Sequence, residues 1–158
     1  MPRFTGSSAV IGVFSLMLAA IAVGQTPTGG APAVRLGLGD YMTAFVQPRH
    51  MKLGLAGQAR NWDYVAYERR ELEEAFEHIE KQVPNYRKIA MADLLKMIEE
   101  PMKAVDAAIK ARDGARFDTA YAQLTDACNA CHVTTEHRMV VVQVPKTSSP
   151  FANQKLTP

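Results

Sequence analysis

Residues 117–137 read FDTAYAQLTDACNACHVTTEH. Phe117, Tyr121, Leu124, Cys128 and Cys131 recur in it at alternating spacings of four and three, the repeat of one face of an α-helix. The two cysteines are the only ones in the chain, and two of its four histidines, His132 and His137, follow them. Cys128, Cys131 and His132 spell C-x-x-C-H. On a helix Cys128 lies one turn from both Cys131 and His132, so the three side chains leave neighbouring positions. Two thioether bonds can then fix a porphyrin edge against the helix while His132 turns its imidazole to the iron. The spacing is that of a c-type haem attachment site. It predicts one covalent haem c, with Cys128 and Cys131 as its attachment points and His132 as the proximal iron ligand.

Three other uses of the same residues compete. A thioredoxin-like redox pair wants its cysteines at a helix start in a βαβ context, whereas these sit deep in a helical pattern. A structural zinc site recruiting Cys128, Cys131 and His137 lacks the usual separation of about a dozen residues between ligand pairs. A disulfide within one helical turn leaves His132 without a role.

Outward from the motif the chain reads as helical throughout. Leu38, Met42, Phe45/Val46, Arg49/His50 and Leu53 trace one face of a first helix, with Pro48 expected to kink it and Gly54 and Gly57 to loosen its end. Asn61 is placed to cap a second helix, on which Val65, Leu72, Phe76, Ile79 and Val83 form the apolar stripe. The opposite face of that helix is charged and reads as solvated, with a Glu77–Lys81 pair at i,i+4, and Pro84-Asn85 stops it. Residues 89–112 carry Leu94, Ile98, Met102, Val105 and Ile109 on one face, with Pro101 expected to bend or split the helix. Asp113-Gly114 makes the last turn. Four amphipathic segments on short links predict an all-α fold, an up-down-up-down four-helix bundle over residues 36–139. MVVVQV (residues 139–144) is β-branched but has no sheet to join. It is expected to lie extended along the bundle, opening a C-terminal tail over residues 140–158.

The N-terminus reads as an export signal over residues 1–24. Arg3 supplies the positive start, residues 9–23 an apolar run short of the ~20 residues of a membrane span, and Ala22-Val23-Gly24 the small residues before cleavage. Residues 25–35, rich in Pro, Gly and Thr, are a flexible lead-in. The whole chain of 158 residues carries a net charge of +2, and removing residues 1–24 deletes one positive charge and no acid. So balanced a chain gives no argument for nucleic acid or an acidic membrane. A soluble, periplasmic mature protein without a membrane span is expected. Export also agrees with haem attachment, in which reduced cysteines join haem vinyl groups after translocation.

A helical bundle with C-x-x-C-H late in its last helix resembles the cytochrome c prime family and its six-coordinate, low-spin relatives, over roughly residues 36–139. The resemblance implies His132 as proximal ligand and Cys128 and Cys131 as thioether cysteines. The family usually carries an aromatic and an arginine three and four residues past the ligand. Thr135 and Glu136 stand there, and the longer tail beyond His132 adds to the picture of a divergent branch. The resemblance also puts the distal residue on the first helix. Two residues on its inward face qualify, Met42 by its level near the helix start and His50 by its ligand chemistry. Arg49 is a candidate propionate contact. His78 lies among glutamates and reads as surface.

The distal residue decides function. A thioether opposite His132 raises the potential and suits an electron carrier; an open position admits nitric oxide or carbon monoxide. Electron transfer with periplasmic or membrane-bound redox proteins is the expected role. A gas-binding cytochrome and an accessory haem subunit of a periplasmic oxidoreductase are the alternatives. No acid–base pair or nucleophile arrangement suggests an enzyme. The Glu-x-x-His of di-iron bundles is also absent, because Gln47, Ala75, Asn129 and Thr134 precede the histidines by three. An exposed helix pair would allow a homodimer.

Overall fold

The computed structural model describes residues 35–146 and 157–158. The export signal, residues 25–34 of the lead-in and residues 147–156 of the tail lie outside the described residues. The fold is all-α with one small hairpin. The first helical rod consists of α1 (Leu38–Tyr41), a π-helical segment (Met42–Val46) and α2 (Gln47–Gln58). After it come α3 (Trp62–Gln82), the strands β1 (Asn85–Tyr86) and β2 (Ile89–Ala90), α4 (Met91–Ala111) and α5 (Gly114–Thr134).

Pro48 explains the π segment. Lacking an N–H and crowding the carbonyl four residues back, a proline cannot continue a regular α-helix. The widened turn, in which the Gln47 N–H reaches the Met42 carbonyl, makes room for it ahead of α2. The extra residue also moves the inward face. Tyr41 is buried, the next buried position is Val46, and His50 and Leu53 follow at ordinary helical spacing. Phe45, expected inside, is therefore exposed.

The glycines of α2 do the opposite of what the sequence suggested. A Cβ at Gly57 would lie 1.9 Å from the Phe117 ring, and one at Gly54 2.5 Å from the Tyr121 ring, so their bareness brings α2 and α5 together. Helix α3 starts at Asn61, whose side chain accepts the Tyr64 N–H at 3.4 Å, and buries Val65, Leu72, Phe76 and Ile79. Its charged face is not wholly solvated, since Glu68 is buried against Lys52 at 3.9 Å. Glu77 and Lys81 do pair at 3.8 Å on the exposed side. Helix α4 runs through Pro101 without splitting and buries Leu94, Ile98, Met102, Val105 and Ile109. The hairpin between α3 and α4 gives no sequence signal, because its turn residues Arg87 and Lys88 hold left-handed φ of 48° and 67° without glycine or asparagine.

Partner residues fix the helix directions. Arg49 pairs with Glu71 and Lys52 with Glu68, so α2 and α3 run antiparallel. Arg69–Asp106 and Arg112–Asp63 show the same for α3 and α4. Between α2 and α5 the meetings are His50 with Thr125, Gly54 with Tyr121 and Gly57 with Phe117, one index rising as the other falls. Just beyond α2, Arg60 bonds the Gly114 carbonyl at 2.9 Å and pairs with Asp118 at 2.6 Å. No described helix is long and apolar enough to cross a membrane.

Candidate functional site

The stripe that buries Phe117, Tyr121 and Leu124 on α5 continues into Cys128 and Cys131, which pack against the core at partial exposure. Both thiols are free. Burial, and then the neighbouring Cys131, push the Cys128 thiol up to about 12, and burial raises Cys131 as well. A dithiol redox centre and a zinc thiolate both need the anion, which these surroundings oppose. His137 is also turned away from the cysteines. Its Nδ1 sits 2.8 Å from the Thr135 carbonyl and its ring lies against Tyr86. Among the described residues no three His, Cys, Asp or Glu side chains converge on a metal-sized point.

His132 stands beside the cysteine stripe. Its Nδ1 donates to the Val140 carbonyl at 2.7 Å, and Nε2 has no hydrogen-bond partner among the described residues. A ring proton held on Nδ1 by a backbone carbonyl leaves the Nε2 lone pair bare, the state in which an imidazole binds a metal. Because the two nitrogens point away from each other, the tail lies behind the ring and leaves the Nε2 side to other groups. Val142 and Val144 are half-buried while Val141 and Gln143 are exposed, a period of two that places the β-branched run extended along α5. Gln58 Nε2 holds the Pro145 carbonyl at 2.7 Å farther along.

The two distal candidates differ in their surroundings. His50 is buried, with Nε2 at 3.1 Å from Thr125 Oγ1 and Nδ1 at 3.0 Å from the Tyr121 hydroxyl. Thr125 gives its own proton to the Tyr121 carbonyl at 2.9 Å, so it accepts from His50 Nε2–H. The Tyr121 proton is then shared between His50 Nδ1 and the His50 carbonyl, the latter at 2.8 Å. Burial lowers His50 to about 4, in keeping with a neutral ring. Both its nitrogens are in use. Met42, in the π segment, is half-buried against the core. If the α2–α5 register is extended, eight residues before His50 is about 12 Å at 1.5 Å per residue, the level of Cys131 and His132.

Arg49 faces α3, pairing with Glu71 at 3.2 Å and donating to the Phe45 carbonyl at 3.3 Å. It would have to leave Glu71 to reach a propionate. His78 is exposed, edge-on to Tyr41. Of the exposed large apolar side chains among the described residues, Leu36, Phe45, Val133, Met139, Val140 and Val141 belong to the end that carries the motif, and Tyr67 lies elsewhere. Neither the Tyr121–His50–Thr125 network nor the carbonyl behind His132 has a local signal: the first joins His50 to residues more than seventy positions away, and the second needs the chain to reverse just after α5. No protein-family model, curated protein or solved structure matches this chain.

Proposed function

We propose that this protein is an exported, periplasmic monohaem c-type cytochrome with an up-down-up-down four-helix bundle, of the cytochrome c prime type, that carries electrons. One observation carries the reading: two free, protonated thiols sit one turn apart on a helix beside an imidazole whose Nδ1 is held by a carbonyl and whose Nε2 is bare. Cys128 and Cys131 would form the thioethers, each S–H adding across a vinyl group, and His132 would be the proximal ligand. When bound, haem iron supplies one-electron exchange between its ferrous and ferric states.

The apolar side chains exposed at this end are what an apolar macrocycle would cover. On the distal side Met42 is the better candidate, because it lies at the right level and His50 is already bonded through both nitrogens. A thioether there fits an electron carrier whose partner is another periplasmic or membrane-bound redox protein. Nothing in this reading assigns catalysis to the chain.

The test is the optical spectrum of the purified ferrous protein with and without carbon monoxide, after mass spectrometry has shown one haem added to the mature chain. A low-spin spectrum unchanged by carbon monoxide, turned high-spin by Met42→Leu but not by His50→Leu, is the expected outcome. A high-spin spectrum that shifts at once with carbon monoxide would replace electron transfer by gas binding. A mature mass equal to the bare polypeptide would remove both.

A further inference from the structure

We propose that Asn129, between the two cysteines, is a positioning residue: it clamps the tail at Val142 so that the Val140 carbonyl keeps the His132 proton on Nδ1 and Nε2 open to the iron. This rests on the haem reading above. Asn129 Oδ1 accepts the Val142 N–H at 2.8 Å, and Asn129 Nδ2 donates to the Val142 carbonyl at 2.9 Å. An amide side chain that both accepts and donates stands in for a neighbouring strand, which the β-branched run otherwise lacks.

The clamp fixes Val140 by simple chain geometry. In an extended segment, carbonyls two residues apart point to the same side, so turning the Val142 carbonyl toward α5 turns the Val140 carbonyl there too. Three residues along α5 advance about 4.5 Å and two residues of extended chain about 6.6 Å, a mismatch of about 2 Å that the Asn129 and His132 side chains span. From the other side, the chain is reversed by the His137 N–H on the His132 carbonyl at 2.6 Å and the Val140 N–H on the His137 carbonyl at 2.8 Å. Val140 is thus held between a turn and a clamp.

The need for a clamp follows from exposure. The His132–Val140 bond is open to water, and a single such bond contributes only about 1 kcal/mol net. Left to solvent, a neutral imidazole favours the proton on Nε2, the nitrogen a metal needs bare. Alanine at position 129 offers neither bond, and aspartate would set a negative oxygen against the Val142 carbonyl.

Two variants test this: Asn129→Ala, and Val142→Pro, which deletes the clamped amide without altering α5. In haem-free protein, nitrogen-15 NMR of His132 should show the Nδ1–H tautomer in the parent chain and a shift toward Nε2–H in both variants. The Val142 amide should exchange up to about tenfold faster in Asn129→Ala. In the haem protein both variants should raise the midpoint potential, because a weaker Nδ1 hydrogen bond makes His132 a poorer donor. The double variant should add nothing to either single one. An unchanged His132 tautomer, or an unmoved potential despite an unprotected Val142 amide, would overturn the proposal. Should the parent chain carry no haem, the cytochrome reading fails on its own, and the haem-free NMR still decides whether the clamp sets the tautomer.

Discussion

The middle and the C-terminal end of α5 carry polar groups in opposite circumstances. Toward its middle, Tyr121 and Thr125 are buried, and both ring nitrogens and the carbonyl of His50 between them have partners. At its C-terminal end Cys128, Cys131 and His132 are half-exposed, with thiols unoxidised and one imidazole nitrogen unengaged. A closed network specifies how α2 docks on α5 and leaves no atom for chemistry. The open end keeps reactive groups available, in a setting of exposed apolar side chains. On one helix, the residues that hold the fold and those proposed to hold a haem are separated by about one turn.

Three experiments put that contrast at risk. The largest effect is expected from replacing Cys128 and Cys131 together by alanine. Haem attachment, read by mass, should vanish, while haem-free stability in urea changes by about 1 kcal/mol or less. A collapse of the haem-free fold would mean that the open end is structural after all.

The second concerns His50. Burial holds it to about 4 in the folded chain against an ordinary 6.5, so between these values the folded state binds fewer protons than the unfolded one. Stability is then full above pH 6.5 and falls as the pH drops toward 4, by about 3 kcal/mol in all. Urea unfolding of haem-free protein at pH 7, 5.5 and 4 should show the decline, and His50→Gln should flatten it. An equal slope in that variant would show that the network is less closed than its distances imply.

The smallest effect is expected at Gly57. An added methyl would press on the buried Phe117 ring, an overpacking offset by the better helix propensity of alanine. Gly57→Ala should cost about 2 kcal/mol in urea unfolding without changing haem attachment. Loss of attachment would show that the two ends of α5 are coupled.

Much of the helical order could be read from the chain, because the signals that set it are local. Val65, Leu72, Phe76 and Ile79 repeat within one helix, Asn61 caps a few residues away, and Phe117 through Cys131 keep one spacing. The errors have a common cause. Pro48 was legible as a disturbance, but that it is absorbed by a π turn which rotates Phe45 outward depends on what the rod packs against. Gly54 and Gly57 look like weak helix positions until the rings of Tyr121 and Phe117 fill the space above them. Glu68 looks solvated until Lys52 is brought to it.

The helical stripes, the Asn61 cap and the C-x-x-C-H motif were legible in the chain alone, because each depends on residues within a turn or two of one another. It took the tertiary structure to show that His50 is spent on Tyr121 and Thr125, and that Asn129 and the Val140 carbonyl stand behind His132. Those depend on the register between α2 and α5 and on the tail's path back along α5, which are set by packing and not by any local spacing.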